Sequence, residues 1–223
     1  MSGSTIVEQR ALQSAGVSAA PIYRLVARIL SDRCAGGTLL DVGCGRGDLW
    51  PHLAGQFTEY HGADVIPYDE FPDGGRFHQV DLDTGRVGLP DGFADVVVAV
   101  ETIEHLENPR AFARELTRLA RPGGWMLMTT PNQLSVLSKL TLSARHEFSA
   151  FRAGSYPAHL TALLEVDLRR IAAECAWADV AVEYTGDGRV PGSARHWPRW
   201  LSRHWPRELS DNVAIVGRKP GAG

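Results

Sequence analysis

Two short stretches hold the residues best suited to chemistry. Glu101-Thr102-Ile103-Glu104-His105 puts two carboxylates and an imidazole within five residues. If the chain turns helically there, Glu101 lies one step from Glu104 and His105, and the three groups converge. Such a set can hold a divalent ion or supply a general base, and histidine suits the base role because it titrates near neutrality. The second stretch, Asp41-Val42-Gly43-Cys44-Gly45-Arg46-Gly47, places an acid just ahead of three alternating glycines. Glycines past a strand end let the backbone turn sharply and approach a ligand closely. Their G-x-G-x-G spacing is not the dinucleotide fingerprint G-x-G-x-x-G, and no Lys-Ser or Lys-Thr follows to make a phosphate loop. The acid argues against a phosphate ligand and for a cationic one: Asp41 can receive an ammonium group or steady the loop around it.

The elements that must position these residues alternate along the chain. Thr38 to Val42 is an apolar strand signal leading into the glycines. Tyr60-His61-Gly62-Ala63-Asp64 is a short strand ending in an acid, whose carboxylate can accept both ribose hydroxyls of a nucleoside. Phe93 to Glu101 is a long buried strand that delivers the carboxylate–histidine set. Helices are expected over Pro21 to Arg33, Leu49 to Gln56, from Pro109 to a stop at Pro122-Gly123-Gly124, and along the pattern Leu160 to Ala176. Trp125 to Thr130 is a fifth strand, and Asp179 to Thr185 with Asn212 to Arg218 closes the chain. Residues 1–18 are read as partly disordered.

The glycine run resembles motif I of the class I S-adenosylmethionine (SAM)-dependent methyltransferases. Asp64 matches that family's ribose-binding acid, and Phe77-His78-Gln79-Val80-Asp81-Leu82 resembles the segment framing adenine. The resemblance covers about residues 36–185 plus the last strand. It implies one α/β domain over residues 1–223: a Rossmann-like, doubly wound seven-stranded sheet, mostly parallel, with a C-terminal antiparallel hairpin. It implies SAM held by Asp41, Gly43, Cys44, Gly45, Gly47, Asp64, Val65, Asp81, Leu82 and Glu101. Catalytic work is expected of Glu101, Glu104, His105 and His159. No metal ligand set is assigned outright, with Mg2+ as a further cofactor to weigh.

E-x-x-E-H resembles two groups in the superfamily. One is the ubiquinone-biosynthesis type of O-methyltransferase with its small-molecule and sugar relatives. The other is the small-RNA 3′-terminal 2′-O-methyltransferase, where these residues bind magnesium with a further histidine. Many superfamily members carry an acid and histidine here only to contact SAM and order the loop. Thr129-Thr130-Pro131-Asn132 resembles a segment of both groups, with Asn132 expected to aim its amide into the site. Residues 133–158 are long for a connection and read as a lid or substrate wall. His159 follows, in Ala158-His159-Leu160-Thr161, without the paired histidines and Phe-x-Trp-Thr run of the RNA enzymes. The expected reaction is therefore methyl transfer to an oxygen of a small-molecule or glycan acceptor. RNA 2′-O-methylation and non-catalytic SAM binding are the alternatives. The Asn-Pro-Pro-Tyr signature of many N-methyltransferases is missing.

A net charge of −3 gives no general pull toward nucleic acid. Three cysteines without metal spacing suit a reducing cytoplasm, and no apolar run reaches membrane-spanning length. The loop 186–211 stands apart: Trp197, Trp200 and Trp205 alternate with Arg195, Arg199, Arg203 and Arg207. Residues 195–207 could stack on rings, grip phosphate or rest on a membrane surface. Oligomeric state leaves no mark in the sequence.

Overall fold

Strand residues alternate between two cores, which is why the apolar runs are continuous rather than alternating. In β1 (Thr38–Val42) Leu39 packs into one core while Leu40 and Val42 enter the other. In β4 (Ala94–Ala99) Val96 and Val98 face the first, Val97 and Ala99 the second. A strand covered on both faces needs apolar side chains at every position. The computed structural model describes residues 8, 11–12, 16–53 and 55–221.

With β2 (Glu59–Asp64), β3 (Arg76–Gln79), β5 (Ala120–Pro131), β6 (Ala178–Tyr184) and β7 (Asn212–Arg218), the strands form one seven-stranded sheet, order β3-β2-β1-β4-β5-β7-β6. The first five pair in parallel, while β7 runs antiparallel between β5 and β6. This is the Rossmann-like sheet and closing hairpin that the sequence implied. Strand order reverses at β1, so the C-terminal ends of β1 and β4 open on a crevice.

Helix α1 (Ala20–Asp32) buries Ile22, Leu25, Val26, Ile29 and Leu30 on one side of the sheet. On the other lie α2 (Pro109–Leu119) and α4 (Glu165–Glu174), through Phe112, Leu116, Leu168 and Ile171. Asn108 caps α2, its side chain accepting from Ala111 N–H at 2.9 Å, with Pro109 at the first turn, where no N–H is needed. Helix α3 (Val136–Arg145) occupies the long connection, capped by Ser135, and α5 (Arg199–His204) lies in the Arg/Trp loop.

Three expectations are corrected. The helix at Leu49 to Gln56 is only a 3-10 turn, Trp50–Leu53, and Gly55 at φ +81° takes the chain out of helical geometry just beyond it. Helix α2 stops at Leu119, since Ala120 already pairs with Ala94. The segment 160–164 is extended: Leu160 and Thr161 N–H both donate to Glu104 O, at 2.9 and 3.0 Å, and a helix there would forfeit those bonds. Of the stretch read as disordered, residues 8, 11–12 and 16–18 are described and the others lie outside the described residues. No helix among the described residues is long and apolar enough to cross a membrane.

Candidate functional site

A cavity of about 510 Å³ lies at the C-terminal ends of the strands. Asp41, Gly43, Cys44, Asp64, Val65, Leu82, Glu101, His105 and His159 line it. Gly45, Gly47, Asp81 and Glu104 are not among its lining residues.

The glycines owe their identity to the protein's own packing. Gly43 holds φ at +80°, and a Cβ there would strike the Thr102 side chain; one on Gly45 would strike the backbone of Gly16. Thr102 Oγ1 in turn contacts Val42 O at 3.3 Å and Val100 O at 3.2 Å, so the ends of β1 and β4 are held together.

Asp41 is buried at the end of β1. Its Oδ2 accepts the Tyr60 hydroxyl at 3.0 Å, while Oδ1 has no hydrogen-bond partner among the described residues. Burial pushes its pKa up to about 7, moderated by the Tyr60 bond. A half-satisfied buried carboxylate beside a cavity offers the acceptor that an ammonium group would complete. Asp64 is better satisfied: Oδ2 accepts Gly45 N–H at 2.9 Å and Oδ1 accepts Val65 N–H at 2.7 Å and Ile66 N–H at 3.3 Å. Burial raises its pKa and these donors oppose the rise. The acid therefore fixes the glycine loop as well as facing the cavity.

Asp81 turns away from the cavity. Its carboxylate accepts Asp83 N–H and the Thr84 hydroxyl, both at 2.9 Å, closing its own turn. That turn brings Leu82 and Asp83 to the wall, and Asp83 Oδ1 accepts Glu107 N–H at 2.8 Å.

Beyond β4 the two glutamates differ. Glu101 sits in the left-handed region at φ +52°. Its carboxylate accepts the Thr129 hydroxyl at 3.3 Å and Asn212 Nδ2–H at 2.9 Å. Burial, then the neighbouring Glu104, raises its pKa well above the usual carboxylate range. Glu104 lies in a 3-10 turn, Ile103–His105, fully buried, and neither carboxylate oxygen has a hydrogen-bond partner among the described residues. Burial pushes it up to about 8. The Thr130 hydroxyl, buried and without a hydrogen-bond partner among the described residues, tempers that rise.

His105 and His159 meet edge to face, ring centroids 4.9 Å apart. His105 Nδ1 lies 2.7 Å from Ala158 O, and His159 Nδ1 lies 2.6 Å from Ala150 O. A carbonyl only accepts, so each Nδ1 carries a proton, and Nε2 is the basic nitrogen of either ring when it is neutral. Burial, then His105, lowers the His159 pKa and favours that neutral form. Ligand atoms of Glu104, His105 and His159 all lie within 4.8 Å of one another. Glu101, expected to join them, is instead held by Thr129 and Asn212.

Asn132 does not enter the site. Its amide donates to Arg207 O and Ser210 O at 2.6 and 2.8 Å, tying the start of the long connection to the Arg/Trp loop. Sequence reading missed the outer wall: Asp187, Arg189, His196, Asp211 and Asn212 line the cavity, as do Ser149 and Ala150. Asp187 pairs with His196, and Arg189 with Asp211 at 2.6 Å. The only sequence signal was the odd composition of 186–211.

Residues 13–182 match a family model described as a methyltransferase domain. A probable S-adenosylmethionine-dependent methyltransferase of Mycolicibacterium smegmatis is 36% identical over 119 residues, 51% of this chain and 45% of that protein. A ubiquinone biosynthesis O-methyltransferase of Thiobacillus denitrificans is 32% identical over 109 residues, 44% of this chain and 46% of that protein. The matched region thus spans about half the length of these curated relatives. The crystal structure of a SAM-dependent methyltransferase from Archaeoglobus fulgidus superposes with a TM-score of 0.61 at 18% identity, covering 88% of this chain and 94% of that one, a likeness of fold alone.

Proposed function

The chain belongs to the methyltransferase-domain family of SAM-dependent enzymes, and from that premise we propose that it methylates an oxygen of a small-molecule or sugar acceptor. When bound, SAM supplies a methyl group already activated by its sulfonium. Asp41 Oδ1 would hold the ammonium group of the methionine end, and the remaining lone-pair capacity of Asp64 would take ribose hydroxyls. Gly43, Cys44, Val65 and Leu82 would shape the walls around the nucleoside, with Gly45, Gly47 and Asp81 acting through the turns they set.

The reading rests on one observation above all: His105 lines the cavity with its Nδ1 anchored to a backbone carbonyl, which makes Nε2 the basic nitrogen of the ring. That ring can accept the proton of an acceptor hydroxyl as the oxygen bonds the methyl carbon and the carbon–sulfur bond breaks. His159, anchored in the same way beside it, would orient the hydroxyl. Alignment of the reacting groups supplies the larger share of the acceleration. The ubiquinone O-methyltransferase relative supports oxygen as the accepting atom. The free cysteines Cys34, Cys44 and Cys175 support a cytoplasmic setting.

Incubation with 13C-methyl SAM and panels of phenols and sugars, read by carbon NMR, tests this. An O-methyl resonance is expected; label on nitrogen or carbon would overturn the choice of oxygen. A second reading has its own support. Glu104, His105 and His159 offer three converging ligand atoms, and histidines anchored through Nδ1 are well prepared as metal ligands. A divalent ion there would lower the pKa of an acceptor hydroxyl. Turnover abolished by a chelator and restored by Mg2+ would favour that reading over a histidine base.

A further inference from the structure

The loop that supplies the outer wall of the cavity has a second, outward face. Trp197 N–H donates to Gly188 O at 2.9 Å and Val190 N–H to Arg195 O at 2.8 Å, which folds the loop back on itself. Asp187, Arg189 and His196 turn toward the cavity. Along α5 only one side is covered: Ser202 is buried, while Arg199, Trp200, Arg203 and His204 are exposed. Trp200 is 67% exposed and Trp205 is 54% exposed. Two indoles left in water are costly unless something covers them.

Charge shows what could cover them. From Gly188 to Arg207 there is no Asp or Glu, although the whole chain carries a net −3. Arg195, Arg199 and Arg203 are exposed and make no ion pair among the described residues, whereas Arg28, Arg118, Arg169 and Arg189 each have an acid. Tryptophans flanked by unpaired arginines match a lipid headgroup zone, where indoles settle at the interface and guanidinium groups bind phosphates. A nucleic-acid strand is a poorer match. It needs a continuous basic track, and here the cavity itself is lined by Asp187, Asp211, Asp64 and Asp83.

We propose that the exposed face of residues 195–207 docks onto an anionic lipid bilayer. Trp200 and Trp205 enter the interfacial layer, and Arg195, Arg199 and Arg203 meet lipid phosphates. The six-residue α5 lies in the plane of the surface, flanked by Pro198 and Pro206. The cavity wall built by Asp187, Arg189 and His196 is thereby held close to the membrane. This inference does not depend on the acceptor proposed above.

The test is co-sedimentation with vesicles of phosphatidylcholine alone and of equimolar phosphatidylcholine and phosphatidylglycerol. The protein is expected to pellet with the mixed vesicles and to stay in solution with the neutral ones. Each arginine near an anionic surface strengthens partitioning about fivefold, so R199Q/R203Q should weaken it about 25-fold. W200A/W205A should weaken it too, and both variants should keep wild-type affinity for S-adenosylhomocysteine, since neither pair lines the cavity. If a variant fails to fold, quenching of wild-type tryptophan fluorescence by brominated phosphatidylglycerol decides instead. Absence of wild-type binding or of quenching, or equal partitioning of wild type and folded variants, would overturn the proposal. So would salt-sensitive retention of a single-stranded oligonucleotide by a protein that ignores the vesicles.

Discussion

Asp41 offers the sharpest test of the cofactor site, because its ionisation and ligand binding must be coupled. Its pKa without ligand is pushed up to about 7 by burial. An ammonium group on Oδ1 favours the ionised form, so binding below that pH must expel a proton. The carboxyl is about 90% protonated at pH 6 and about 10% at pH 8. Binding of S-adenosylhomocysteine should therefore release about 0.9 proton at pH 6 and about 0.1 at pH 8. Affinity should rise about tenfold between them, near 1.4 kcal/mol. Calorimetry in two buffers of different ionisation enthalpy reads the proton count directly. Asp64, Glu101 and Glu104 also have raised pKa values, so two variants isolate Asp41. Asp41→Asn should weaken binding at pH 8 and abolish its share of proton release. Tyr60→Phe should move the transition to higher pH, because the Tyr60 hydroxyl stabilises the carboxylate. Proton release unchanged in Asp41→Asn would refute the assignment.

The same burial makes Asp41 a liability without ligand. Its carboxyl binds a proton in the folded chain up to about pH 7, against 3.8 for an ordinary aspartate such as the unfolded chain presents, so stability falls as pH rises between those values. Asp41→Asn should therefore raise the melting temperature of the free protein at pH 8 by several degrees and change it little near pH 4, read by scanning calorimetry. His105→Ala should lower kcat about 100- to 10,000-fold while leaving S-adenosylhomocysteine affinity within about threefold; equal losses in both would make the ring a cofactor contact instead. Asn132→Ala removes the donors to the Arg207 and Ser210 carbonyls, the second of them buried, and should cost on the order of 1–3 kcal/mol in urea unfolding, and limited proteolysis should then cut first at the Arg/Trp loop.

What the sequence revealed follows from how local each cause is. The strands β1 and β4 were legible because burial on both faces writes itself into consecutive residues such as Val96, Val97 and Val98. The segment 160–164 was misread as helix because the competing cause, the Glu104 carbonyl, lies some 55 residues away. Asp81 was placed by motif position, but its carboxylate accepts the N–H two residues on and closes its own turn, and nothing in the spacing announces that choice. His159 came from resemblance alone. Its approach to His105 depends on how residues 133–158 fold, including the bonds to Ala150 and Ala158 that orient both rings. The wall of Asp187, Arg189, His196 and Asp211 depends on a loop between two antiparallel strands, where composition warned of something unusual without placing it.

Glu101 and Glu104 show why the site stands out physically once the fold is known. They are three residues apart and alike in sequence, yet one is fastened by Thr129 and Asn212 and the other has no hydrogen-bond partner for either oxygen among the described residues. A buried carboxyl without partners costs stability, and a non-glycine residue at φ +52° adds backbone strain. Asp41 repeats the pattern on the opposite side of the crevice, with Oδ1 unpaired. The two uncompensated carboxyls belong to different strand ends: Asp41 closes β1 and lines the cavity, while Glu104 follows β4 and lies behind the wall, next in sequence to the cavity-lining His105. A fold selected for stability alone would have no reason to concentrate such costs there. One that must receive a cationic, hydroxyl-rich ligand, and then take up a proton beside it, would.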